Sequence, residues 1–143
     1  MGHVYIDVKL ISPITKESIV LKGLIDTGAT LTTIPRNLAD KLQLTEIGSR
    51  RVITASGLEE MPVSYAIVEI ETQRAVTEVL ISEKLDRVLI GAVTLESLAL
   101  KVDPKAGKLE KTELLLLWLE VLGDLDSGLE LRQEFKYEIQ SQY

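Results

Sequence analysis

The stretch GLIDTGATLTTIP, residues 23–35, sets two apolar residues, Leu24 and Ile25, directly before a carboxylate, Asp26, which Thr27, Gly28 and Ala29 follow at once. An apolar strand that ends in an acid carries that acid toward the part of a domain where water is scarcest. A lone buried carboxylate costs several kcal/mol unless it is paired, hydrogen-bonded or neutralised. Something elsewhere in the fold must offset that cost.

The flanking sequence places the acid between strands. Residues 3–11, HVYIDVKLI, alternate apolar and polar, with Val4, Ile6, Val8 and Leu10 on one face, and predict a half-buried strand. SPITKE turns the chain and SIVLKGLI, 18–25, returns it as a hairpin partner. After Gly28, LTTIP reads as extended and PRNLADKLQL as a short helix with Pro35 at its first position and Leu38, Ala39 and Leu42 facing inward. RVITA (51–55) and MPVSYAIVEIET (61–72) read as strands flanking a polar hairpin tip, SGLEE. AVTEVLI (75–81) and DRVLIG (86–91) continue the β pattern, AVTLESLAL predicts a second short helix, and LKVDPKAGKLEK reads as strand, turn and strand. Many short strands with regular turn signals predict an all-β domain, barrel-like or sandwich-like, rather than alternating βαβ units. The chain is accordingly divided into a domain over 1–111 and an extension over 112–143 that is leucine-rich, then charged. The extension is compatible with one or two helices, a strand pair or a tail.

Composition narrows the function. A chain of 143 residues with 45% apolar content is long enough for one domain with a proper core. One Trp, one Phe and four Tyr leave that core to Leu, Ile and Val. A net charge of −6 and the absence of any long basic cluster argue against a nucleic-acid surface; Arg50 and Arg51 read as a solvated strand start. With no Cys and a single histidine, His3, the chain offers no disulfide, thiolate metal site or Ser-His-Asp arrangement, and no metal or cofactor is expected. The first residues, MGHVYIDVKL, lack the pattern of a signal peptide, and Ile6 stands where myristoylation wants Ser or Thr. The longest apolar run, LLLLWL, is too short to span a bilayer. The expectation is a soluble cytoplasmic protein without membrane or nucleic-acid partners.

The order of these features resembles the retropepsin-like, or retroviral-type, aspartic proteases, and more closely their short single-domain members found outside viruses. LIDTGAT (24–30), the hairpin tip TASG (54–57) and VLIGAVTLESLALKVDP (88–104) carry the resemblance, which runs from residue 3 to about 111. DTG alone is common by chance and reads equally as a turn capped by its Asp; two apolar residues, DTGA and a later apolar-apolar-Gly before a helix are far more specific together. The resemblance implies a closed or partly open β-barrel with a flap hairpin and one or two short helices, acting as a homodimer on a peptide or protein substrate. Asp26 would be catalytic, one from each subunit, the pair sharing a proton because two adjacent carboxylates cannot both ionise. The aspartic proteases are themselves the standard example of that behaviour. By the same resemblance Thr27 would bond across the dimer axis, Gly28 would offer an N–H to the carboxylate, and Ala29 would leave room for substrate. Ser56 and Gly57 would form the flap tip, and Leu89, Ile90 and Gly91 a second loop beneath the site.

The sequence also departs from the viral pattern. Viral members carry an acid just after DTGA and an Arg just after the later Gly, and the two pair; here the positions hold Thr30 and Ala92. Losing both halves avoids a buried unpaired charge and is compatible with a sound fold. The LLLLWL segment needs cover, expected from the dimer or from folding back on the domain. Two other readings stand beside the endopeptidase. One is an inactive protease-like dimer that holds a peptide strand or serves as a scaffold. The other is an unrelated, monomeric β-barrel in which Asp26 only caps a turn.

Overall fold

The computed structural model describes residues 3–116. Its strands are β1 (Tyr5–Ile11), β2 (Ser18–Ile25), β3 (Thr32–Pro35), β4 (Gly48–Thr54), β5 (Gly57–Ile70), β6 (Gln73–Ser82), β7 (Val88–Ile90), β8 (Leu100–Asp103) and β9 (Lys108–Lys111). Two short helices, α1 (Arg36–Lys41) and α2 (Ala92–Ser97), follow β3 and β7. Neither is long and apolar enough to cross a membrane. All of this regular structure falls within the first of two compact units, residues 1–113. Of the LLLLWL segment expected to need cover, Leu114, Leu115 and Leu116 are exposed, and the extension from residue 117 onward lies outside the described residues.

Seven strands form one sheet in the order β1-β2-β7-β3-β6-β5-β4, and an additional β1–β5 pairing joins β1, β2, β7, β3, β6 and β5 into a closed barrel. The all-β barrel expected from the sequence is therefore the observed fold. β4 lies outside the ring, paired only with β5 in a long hairpin. β8 and β9 make a separate two-stranded sheet. Two of the ring's pairings are parallel, β2 with β7 and β3 with β6, and both involve strands flanking Asp26. Short parallel pairings of this kind need both faces covered, and in the β3–β6 pairing Thr32, Thr33, Ile34 and Pro35 of β3 are all buried.

The core is aliphatic, as the scarcity of aromatics requires. Val8, Leu10, Ile34, Val68, Ile70, Val79, Ile81, Val88 and Ile90 fill the barrel, and Leu42, Leu95 and Leu98 close it from the helices and their ends. Each fully buried side chain of this size contributes about 1.5–3 kcal/mol relative to exposure. β5 shows how one strand serves two environments. Its second half alternates into the core and pairs with both β1 and β6, whereas residues 57–62 are exposed or half-buried and pair only with β4.

The structure refines the sequence reading at three points. The polar SGLEE segment is not a loop: strand pairing runs to Thr54 opposite Gly57, so the turn is only Ala55 and Ser56. Polar side chains there reflect a solvated hairpin arm rather than a break in the ladder. Pro35 ends β3 in an extended conformation and precedes α1 instead of opening it. In β1 the alternation gives way at its end, where Ile11 joins Leu10 in being buried because it faces β5 as the ring closes.

Replacing Ile34, fully buried in β3, with Ala should lower unfolding free energy by about 2–5 kcal/mol. Val20→Ala, on an exposed strand position, should stay within about 0.5 kcal/mol of wild type. Urea unfolding midpoints at constant slope check both.

Candidate active site

Asp26 follows the last residue of β2 and sits where two chain segments cross. Its backbone N–H donates to the Ile90 carbonyl at 2.9 Å, at the end of β7. Its carboxylate Oδ1 accepts the Gly28 N–H at 3.1 Å, and its carbonyl accepts the Ala29 N–H at 3.1 Å. In the single chain Asp26 is half-buried, while Thr27 and Gly28 are exposed and Ala29 is half-buried. The carboxylate is thus not isolated in a dry interior. It keeps partial access to solvent and holds one charge-assisted hydrogen bond from the backbone.

The second loop locks onto the first. Ala92 donates its N–H to the Ala29 carbonyl at 2.8 Å, and Val93 donates to the Thr30 carbonyl at 3.0 Å. Leu89 is half-buried, Ile90 and Gly91 are buried, and the parallel pairing Ile25–Ile90 brings the two loops side by side. Thr30 and Ala92, where the sequence lacks the charged pair of the viral pattern, do not bond each other: Ala92 bonds Ala29, and Thr30 is bonded by Val93. Gly91 is fixed by space, because its backbone is extended at φ −88°. A Cβ at this position would come within 2.5 Å of the Leu31 carbonyl carbon and 2.9 Å of the Thr30 oxygen, and neither backbone atom can turn aside.

Ser56 and Gly57 belong to the β4–β5 hairpin and are bonded within their own turn. The Ser56 N–H donates to Thr54 Oγ1 at 3.1 Å, and that hydroxyl donates to the Gly57 carbonyl at 3.0 Å. Gly57 takes φ +113°, a conformation closed to most side chains. Next to the turn, Ile53 and Leu58 lie opposite each other and are 84% and 62% exposed. In the sequence Ile53 reads as an ordinary apolar strand residue and Leu58 falls in the polar SGLEE tip, so neither stands out.

Two ion pairs tie this hairpin to the barrel. Lys84, in the turn after β6, bonds Glu59 on β5, and Arg50 on β4 bonds Glu78 on β6, with Arg50 Nη2 donating to Glu78 Oε1 at 2.9 Å. The hydrogen bond from Lys84 holds the Glu59 carboxyl below its ordinary range, and that from Arg50 does the same for Glu78. Both are exposed pairs, whose effect is local rather than a large share of stability.

Beneath the second loop lies a group of hydroxyls that the sequence did not announce. Thr32 Oγ1 and Thr94 Oγ1 are 2.6 Å apart, Thr77 Oγ1 lies 3.2 Å from Thr94 Oγ1, and the Gly91 N–H donates to Thr32 Oγ1 at 3.1 Å. All three threonines are buried. An apolar depression lined by Ile14, Leu44, Ile47, Tyr65 and Val76 lies on another part of the surface, and its lining includes no residue of either loop or of the turn at Ser56 and Gly57.

Comparison with known proteins agrees with this arrangement. The family model described as aspartyl protease matches residues 14–94, a span that takes in Asp26, the hairpin and the second loop. The chain belongs to the aspartyl protease family. Among solved structures, the simian foamy virus (mac) protease is similar at 21% identity with a TM-score of 0.48, over 64% of this chain and 90% of that one. No curated protein matches the sequence.

Two predictions follow from this geometry. Gly91→Ala should cost about 1–3 kcal/mol or more, since the added methyl meets backbone on the first loop; thermal unfolding measures it. For Lys84→Met, the Glu59 carboxyl should return upward toward the ordinary glutamate range. A depressed folded value means that the pair's contribution is present above the ordinary carboxylate range and is lost as pH falls through the lowered value. The mutant lacks this contribution at every pH, and a carboxyl-detected NMR titration should record its Glu59 taking up a proton at higher pH than in the wild type.

Proposed function

We propose that the chain is an aspartic endopeptidase that works as a homodimer, with Asp26 of each subunit meeting at the two-fold axis. The observation that carries this reading is Asp26 itself. It lies within the span matched by the aspartyl protease family, on a loop held by hydrogen bonds on both sides, with its carboxylate left open to solvent at the barrel surface. A carboxylate presented in this way can be approached by a second copy, and a symmetric pair is the arrangement that homodimers supply most readily.

In that dimer the two carboxylates share one proton, because two charges so close cannot both persist. The ionised member takes a proton from a bound water as the oxygen attacks the scissile carbonyl carbon, while the protonated member hydrogen-bonds the carbonyl oxygen. The tetrahedral intermediate collapses as the leaving nitrogen receives a proton from the dyad, and the C–N bond breaks. The Gly28 N–H helps keep each Asp26 oriented. Thr27 bonds across the axis, Ala29 leaves room for the substrate backbone, and the turn at Ser56 and Gly57 closes over the peptide and excludes water. Ile53 and Leu58 give that flap an apolar underside, which favours extended apolar segments of substrate. Leu89, Ile90 and Gly91 support the catalytic loop from below. The working domain is residues 1–111, with 112–143 as an extension, and the site of action is the cytoplasm.

Purified protein should cleave peptides from a mixed library across about pH 4–7, the range in which a shared-proton dyad operates. Asp26→Asn should lower turnover by about 10²–10⁴-fold while leaving the dimer intact by light scattering. A well-folded wild-type dimer that cleaves nothing would instead favour a peptide-binding module.

A further inference from the structure

The two loops that carry the candidate chemistry are bonded to each other, which leaves open what fixes the pair to the barrel. Ile90 receives the Asp26 N–H, and Ala92 and Val93 bond the carbonyls of Ala29 and Thr30. Between these contacts stands Gly91, whose N–H leaves the first loop and turns to Thr32 Oγ1 at 3.1 Å. Thr32 is on β3, its hydroxyl meets Thr94 on α2 at 2.6 Å, and Thr94 meets Thr77 on β6 at 3.2 Å. Thr32 and Thr94 are 0% exposed and Thr77 is 4% exposed. A buried hydroxyl without a partner costs about 1–3 kcal/mol, so three of them are kept together only where each finds another. Their bonds cross three elements that share no loop, and Thr94 is the member that touches both others.

We infer that Thr94 is a positioning residue for the Asp26 site. Through its hydroxyl, β6, α2 and β3 are drawn to the Gly91 N–H, and Gly91 in turn sets the height of Ile90 and Ala92, which grip the catalytic loop on either side. Thr94 does not touch substrate or the reacting atoms. This role rests on the endopeptidase reading above and deepens it. A symmetric site makes it sensitive, because the same displacement enters from both subunits, and shifts of about 1 Å can cost about 10²-fold in rate. No charged pair crosses between Thr30 and Ala92 here, so neutral hydroxyls take up the work of fixing the second loop.

The test compares Thr94→Val, which keeps the shape and removes the hydroxyl, with Thr94→Ser, which keeps the hydroxyl. The full chain is used, with peptide cleavage and amide hydrogen exchange read on each variant. Thr94→Val should lower kcat by about tenfold or more with KM within about twofold, in line with misplacement rather than lost binding. Exchange at the Gly91 and Asp26 amides should speed up relative to Val68 and Ile70 of the barrel wall, and Thr94→Ser should restore both readouts. A wild-type kcat in Thr94→Val, uniform exchange changes across the barrel, or a Ser variant as impaired as Val would each overturn the proposal. If Thr94→Val does not fold, Thr77→Val severs only the outer link and should give the same local exchange pattern in smaller degree; its absence there overturns the proposal. Should the wild type cleave no peptide, the endopeptidase reading fails, while the exchange measurement still decides whether Thr94 positions Asp26.

Discussion

The parallel pairing of β2 with β7 is what the rest of the molecule is arranged around. It sets Ile25 against Ile90, so that two loops distant in sequence leave the barrel at the same point and exchange backbone hydrogen bonds. A parallel register between short strands is weak by itself and cannot be made by a tight turn. It persists here because β3 lies next to β7, pairs in parallel with β6 on its other side, and is buried along its length. The barrel closes through β1 and β5, and the closure holds the geometry from which Asp26 projects.

Energetically the site is a small local cost set in a large aliphatic core. The carboxylate needs solvent or a partner, and the lone chain gives it a half-open position with one backbone donor. The hydroxyls of Thr32, Thr77 and Thr94 need one another, and they meet under the second loop. Neither requirement draws on a metal ligand or a charged cluster. Two of the surface ion pairs, Lys84 with Glu59 and Arg50 with Glu78, fasten the hairpin instead. The loops around Asp26 and the β4–β5 hairpin are therefore held by different forces, buried neutral hydrogen bonds for the first and exposed charges for the second.

The barrel was readable from alternation and turn signals because strands with one solvated face must alternate. β2 and the pair β8–β9 follow their patterns closely, and LIDTGAT located the acid. What could not be read depends on contacts across the fold. Thr32, Thr77 and Thr94 are ordinary residues for a strand or a helix end, and only closure of the barrel brings their hydroxyls together. Ile53 reads as a strand residue and Leu58 as part of a polar tip, yet their paired hairpin arms leave the barrel and expose both. The SGLEE segment looked like a loop because solvated hairpin arms and loops share a polar composition. In each case composition stated the chemistry of a residue but not which neighbour topology would give it.

The proposed chemistry requires two Asp26 carboxylates acting as one unit, one from each subunit. Subunit mixing measures this directly: wild-type chains are exchanged with Asp26→Asn chains at rising ratios, and peptide cleavage is followed at constant total protein. If both carboxylates are required, activity should track the square of the wild-type fraction, falling to about one quarter in an equal mixture of freely exchanging dimers. Activity falling in simple proportion to the wild-type fraction would show that each chain acts alone, and would contradict the shared site.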